Sequence, residues 1–156
     1  MRAVFIGTVE FSLKALEKLI DLDVNLVGVV TKGSSSFNSD FADLKPLCIS
    51  NRIPYVHAND VNAHDSIKWI KDLNPDVIFC FGWSRLIKQK LLNIAPLGVI
   101  GFHPAQLPAN RGRHPLIWSL ILGLKETGSS FFFMDEGADS GDILSQRNVP
   151  IDDMDD

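Results

Sequence analysis

Short apolar runs separated by helix-patterned stretches set the strongest limit on what this chain can fold into. The runs fall at residues 3–6, 26–30, 77–81, 99–102 and 130–134. Strands alternating with helices predict a mostly parallel sheet, because each parallel pairing needs a crossover long enough to hold a helix, with helices on both faces. Between the first two runs Leu13, Leu16, Leu19 and Ile20 recur on one stripe. That spacing predicts a helix over 12–20 that covers the sheet, with Ser12 as its cap. Further helices are expected at 43–51, 63–73, 86–93 and 115–124, and a short edge strand at 53–56. Residues 148–151 read as a strand or extended arm, and the acidic residues in 152–156 as the start of another helix, where carboxylates favour the dipole. With 156 residues, 46% of them hydrophobic, the chain is expected to form one domain with a single core over 1–156. A helix that begins in its last five residues suggests a domain cut short at its C-terminal end.

Composition excludes several classes of function. A formal net charge of −4 without clustered Lys and Arg argues against a nucleic-acid surface. The first apolar run stops at Gly7, too soon for a secretory signal, and no run approaches the roughly 18 apolar residues of a membrane span. Cys48 and Cys80 lie far apart in apolar surroundings. They read as reduced core thiols, which suits the cytoplasm.

Chemistry concentrates in two stretches. His103 follows the run at 99–102 and precedes a loop containing Pro104, Pro108, Asn110, Arg111, Gly112 and Arg113, after which His114 and Pro115 open a helix. The C-terminal rim of an open parallel sheet is where ligands bind. Downstream, Asp135, Glu136, Asp139 and Asp142 share a turn with Gly137 and Gly141. One of these carboxylates brought to His103 would make an acid-base pair. The acids lack the regular alternation of a calcium loop, and His57 and His64 lack partners at ligand spacing, so no metal is expected. Arg111 and Arg113 at a helix start form an anion clamp for phosphate or carboxylate. His114 reads as a capping or surface residue. Gly7 and the residues after it lack the spacing of a dinucleotide fingerprint, leaving Thr8 in a tight turn at the cleft. The polar loop 32–40, with Asn38 and Asp40, is a surface connection or a substrate-contacting loop. Trp83 lines a pocket for a flat aromatic ligand or packs into the core.

These residues resemble the N-terminal domain of the folate-dependent formyltransferases, which include methionyl-tRNA, glycinamide ribonucleotide and sugar N-formyltransferases. The resemblance runs from residues 1–8 to 140–144, and its most specific elements are His103 with Leu107, Pro108, Arg111 and Gly112, followed by 139–142. It implies a Rossmann-like sheet and an enzyme that moves a formyl group from 10-formyltetrahydrofolate to an amine. The family's catalytic set is an Asn, a His two residues later and a distant Asp. The His corresponds to His103 and the Asp to Asp139, but the Asn position holds Gly101. Losing one oxyanion donor costs about 10² to 10³ in rate. Asn110 or a backbone N–H is expected to substitute.

By the same resemblance the folate's pterin lies against the backbone at Trp83, Ser84, Leu86 and Ile87 and at Glu136, Gly137 and Ala138. The acceptor is expected to meet Thr8, Asn38, Asp40, Arg111 and Arg113. Arg113 looks like an arginine that sugar-nucleotide formyltransferases carry after their Arg-Gly pair, so an amino-sugar nucleotide is the first expectation for the acceptor. Methionyl-tRNA is the alternative. A non-catalytic folate- or nucleotide-binding module is a third reading, because of Gly101. A homodimer is left open.

Overall fold

Near-continuous apolar strands are what a sheet buried from both faces requires, and the first part of the chain has them. The computed structural model describes residues 1–36 and 38–155. It divides into two compact units, Met1–Val99 and Ile100–Asp156. In the first, strands β1 (Arg2–Ile6), β2 (Asn25–Thr31), β3 (Tyr55–His57) and β4 (Val77–Cys80) pair in parallel in the order β3-β2-β1-β4. β1 is central, and Ala3, Val4, Phe5 and Ile6 are wholly buried. The short strand at Tyr55–His57 lies at an edge, as its Pro54 neighbour suits. Ile6 is in register with both Val30 and Cys80, so the chain leaves three neighbouring strands at one rim just before Thr8, Lys32 and Trp83.

Helices α1 (Glu10–Asp21), α2 (Lys45–Ser50) and α3 (His64–Asp72) connect these strands, and α4 (Gln89–Leu92) follows β4. α1 starts two residues earlier than expected, with Val9 at its N-cap position. Ser12 therefore sits inside the first turn. Its hydroxyl accepts the N–H groups of Thr8 and Val9 at 3.1 and 3.2 Å and donates to the Phe81 carbonyl at 2.6 Å. It staples the end of β1 to the end of β4, which a simple cap would not. Trp69 and Leu73 of the α3 region lie against the bare Gly28 of β2.

The second unit contains β5 (Val99–His103) apart from its first residue, α5 (Pro115–Ile121), β6 (Glu126–Phe133) and β7 (Ile143–Pro150). Its pairings β5–β6 and β6–β7 are antiparallel. The nine residues between β6 and β7 allow a hairpin-like return but no crossover. Ladder bonds extend β6 and β7 upstream of the apolar residues that announced them, through sequence with little alternation. The helix expected at 152–156 does not form in 152–155. There the Asp155 N–H donates to the Asp152 carbonyl and the Asp152 N–H to the Asp155 carboxylate, closing a turn, and Asp156 lies outside the described residues. Phe37, within the polar loop 32–40, also lies outside them. No helix among the described residues is long and apolar enough to cross a membrane.

Cys48 and Cys80 are free and buried. Burial pushes the Cys80 thiol up to about 12, and burial with the nearby Asp43 carboxylate pushes Cys48 up to about 11, from an ordinary 9.0. The unfolded chain therefore releases these protons first. The stability tied to the neutral thiols is intact below pH 9 and falls as pH rises toward 11. Two outcomes are expected: neither thiol reacts with a disulfide reagent at pH 8 until denaturant is added, and the urea midpoint drops between pH 9 and 11.

Candidate active site

The site begins with strand register. His103 ends β5 opposite Ser130 of β6, and it is only 5% exposed. The chain then turns away through a loop that β6 and β7 hold by side chains. The buried Ser130 hydroxyl donates to the Ala105 carbonyl at 2.6 Å, and Thr127 donates to the Pro104 carbonyl at 3.3 Å. Gln146 donates its amide N–H groups to the Leu107 carbonyl at 3.0 Å and the Ser130 oxygen at 2.8 Å. The Leu107–Pro108 peptide is cis. Beyond it, Asn110, Gly112 and His114 all adopt positive φ, at 55°, 94° and 57°.

This path returns the loop over His103. The imidazole Nε2 lies 2.7 Å from the Asn110 carbonyl oxygen, and Nδ1 lies 3.3 Å from Asp139 Oδ2. The same Asp139 oxygen accepts the Gly112 N–H at 3.0 Å. A carbonyl oxygen only accepts, so the Nε2 contact is a hydrogen bond when Nε2 carries the proton. The ring thus presents an N–H at Nε2, the kind of donor that stabilises an oxyanion.

The turn that carries Asp139 is braced from within. Asp135 accepts the Ser140 hydroxyl at 2.6 Å and the Gly137 N–H at 2.9 Å. The Ser140 hydroxyl, then the Gly137 N–H and the more distant Arg111 charge, hold the Asp135 carboxyl below its ordinary range. Glu136, Gly137 and Ala138 are exposed, as are Arg111 and Arg113. His114 occupies the N-cap position of α5, with no side-chain cap bond.

Position 101 has a physical explanation. A Cβ at Gly101 would stand 2.9 Å from both Met134 Cγ and Phe132 Cζ. The space a larger residue would need two positions before His103 is filled by these two side chains.

Expected site residues of the first unit gather at its rim. Val9 and Phe41 form an isolated bridge, the Glu10 N–H donates to the Asp40 carbonyl at 2.9 Å, and the Ala42 N–H donates to the Thr8 carbonyl at 3.0 Å. Thr8 and Asp40 are thereby neighbours, with the half-buried Asn38 in the same loop. The Thr8 and Thr31 hydroxyls and the Trp83 indole N–H are buried without a hydrogen-bond partner among the described residues. Lys32 places its ammonium 4.9 Å from the centre of the Trp83 ring. Ser84 and Leu86 are exposed, while Ile87 is 1% exposed. Ile87 therefore offers a ligand its backbone only. Asn62 bonds to the backbone of residues 86 and 88 at 3.0 and 2.8 Å, holding that segment in place.

Ser130, Gln146, Met134 and the Gly112 N–H were missed by sequence reasoning. Ser130 carried a usable signal, a polar residue inside an apolar strand. The Asn110 contribution is its carbonyl on Nε2, whereas sequence reasoning looked to a substitute oxyanion donor. Among the described residues no three of His, Cys, Asp and Glu converge as a metal site would need.

Residues 1–156 match the family model described as formyl transferase. The chain is 35% identical over 157 residues to a methionyl-tRNA formyltransferase of Clostridioides difficile, an alignment covering 97% of this chain and 50% of that protein. It spans about half the length of the curated relatives it matches. Among solved structures, a phosphoribosylglycinamide formyltransferase from Bacillus halodurans is similar with a TM-score of 0.84 at 20% identity, covering 100% of this chain and 83% of that one. A sugar 3N-formyl transferase, solved in the presence of dTDP and 5-N-formyl-THF, gives 0.72 at 19% identity, covering 97% and 53%. The chain thus has the α/β fold of these proteins, an open, mostly parallel sheet with helices.

Gly101→Asn is expected to destabilise the chain by about 1–3 kcal/mol, the usual cost of overpacking, in urea unfolding. An unchanged midpoint would mean that Met134 swings aside freely.

Proposed function

The chain belongs to the formyl transferase family, and we propose that it takes part in moving the formyl group of 10-formyltetrahydrofolate to a primary amine, with methionyl-tRNA as acceptor. The observation that carries the chemistry is the buried His103, set between Asp139 at 3.3 Å and the Asn110 carbonyl at 2.7 Å. An unprotonated amine attacks the formyl carbon, and the carbonyl oxygen becomes an oxyanion. His103 Nε2–H donates to that oxygen in place of the Asn110 carbonyl, in a setting that water scarcely reaches. As the bond from the formyl carbon to folate N10 breaks, the amine loses one proton and N10 gains one. The products are a formamide and tetrahydrofolate. Asp139 orients the ring by accepting a proton from Nδ1, so the form of His103 that donates from Nε2 while held by Asp139 carries a proton on both nitrogens. Gly101 supplies no side-chain donor, so the oxyanion depends on Nε2 and backbone N–H groups.

The residues present fit a folate as co-substrate. The unpartnered indole N–H of Trp83 and the Lys32 ammonium over its ring suit a flat heteroaromatic with acceptor atoms and an anionic tail. Exposed Ser84 and Leu86 and the backbone at Ile87 are further candidates in the first unit, and the resemblance makes the exposed Glu136, Gly137 and Ala138 of the second unit candidates in their own right.

For the acceptor, the relatives named as methionyl-tRNA formyltransferases support the tRNA reading. The net charge of −4 weighs against a nucleic-acid surface on these 156 residues. That charge describes these residues alone, and they span about half the length of the relatives they match. A second reading, an amino-sugar nucleotide, is favoured by the exposed Arg111 and Arg113, which flank Gly112 in the loop over His103 and could clamp a diphosphate. Thr8, Asn38 and Asp40 are candidate acceptor contacts in either case. Two buried, unpaired thiols suit a reducing compartment such as the cytoplasm.

The test follows tetrahydrofolate release from 10-formyltetrahydrofolate with methionyl-tRNA and with a panel of amino-sugar nucleotides. Turnover with methionyl-tRNA, falling about 10²- to 10⁴-fold in His103→Ala, is expected. Turnover only with sugar nucleotides would replace the acceptor. Folate binding without turnover on any amine would favour a non-catalytic binding module.

A further inference from the structure

One short stretch of chain meets Nε2 of His103 directly and reaches Nδ1 only through the Asp139 carboxylate. Asn110 supplies the carbonyl at Nε2, and two residues later Gly112 donates its N–H to the carboxylate oxygen that faces Nδ1. We propose that Gly112 is a positioning residue for the His103–Asp139 pair, latching the carboxylate while the Asn110 carbonyl caps Nε2 until a substrate oxygen displaces it. The proposal rests on the formyl-transfer reading for its kinetic consequence and on geometry alone for the latch.

Asp139 needs such a latch. Its own backbone is at φ 55°, in an exposed turn between β6 and β7, and its side chain is partly accessible. Asp139 Oδ2 meets both the Gly112 N–H and His103 Nδ1, so the amide sets which carboxylate oxygen faces the ring. A charge-assisted bond to a backbone N–H is among the stronger kinds.

The residue type follows from the conformation. Gly112 has φ 94°, which L side chains rarely adopt, while a Cβ there would meet nothing within 4 Å. The site is empty enough for a larger residue, yet the backbone conformation favours glycine. Gly112→Ala therefore acts through the direction of the N–H and introduces no collision. The exposed arginines on either side can change without moving the latch.

Two measurements decide the matter. In formyl transfer, Gly112→Ala is expected to lower kcat about tenfold, the equivalent of one such hydrogen bond, with the KM for the folate donor unchanged within about twofold. In an Asp139→Ala background the same substitution is expected to change kcat by less than about twofold, because residues acting through one another are not additive. Equal losses in both backgrounds, or no loss in either, would overturn the proposal. The second measurement needs no turnover. Exchange of the Gly112 amide hydrogen is expected to be slow in the wild-type chain and about tenfold or more faster in Asp139→Ala, whereas identical rates would show that no latch exists. If the wild-type chain transfers no formyl group, the functional reading fails while the amide still reports on the latch.

Discussion

The hydrogen bond from the buried Ser130 hydroxyl to the Ala105 carbonyl fixes where the chain leaves β5, and the candidate site depends on that departure. Together with Thr127 and Gln146, it gives the loop after His103 partners for its backbone carbonyls at residues 104, 105 and 107. Buried carbonyls that could find no partner would cost about 1–3 kcal/mol each. With those groups satisfied, the loop folds back and brings Asn110 and Gly112 to the His103–Asp139 pair. The antiparallel strands β6 and β7 are in this sense the support of a site whose histidine stands on β5.

Much of this was legible in the residues. The alternation of apolar runs and helical stripes predicted the strands, because a parallel sheet buries both faces and leaves a continuous apolar signature. His103 stood out as a titratable residue in a glycine- and proline-rich turn next to a strand, but the residues alone left Asp135, Glu136, Asp139 and Asp142 open as its partner, and only the family resemblance singled out Asp139. Element ends were less legible. β6 and β7 extend well upstream of their apolar residues, since ladder bonds use backbone groups that every residue but proline carries. The Gly112 N–H and the Asn110 carbonyl escaped sequence reasoning for the same reason.

Gly101 shows the opposite relation. As a sequence feature it reads as a loss, a glycine where the resembling family has an amide. In the structure, Met134 and Phe132 fill the volume beside the strand, so a side chain at 101 would have to displace one of them. Side-chain identity at 132 and 134 therefore bears on the chemistry two residues before His103. Local spacing cannot convey that, because β5 and β6 meet across a separation of about thirty residues.

The donor role of His103 requires that Nε2 carry a proton and offer it as a hydrogen bond. A long-range ¹H–¹⁵N correlation spectrum of the ¹⁵N-labelled chain near neutral pH, with His103 assigned by comparison with His103→Ala, reads this directly. A protonated Nε2 in the free chain is the predicted result. A bare Nε2, with the proton on Nδ1 alone, would contradict both the bond to the Asn110 carbonyl and the donor role assigned to this nitrogen.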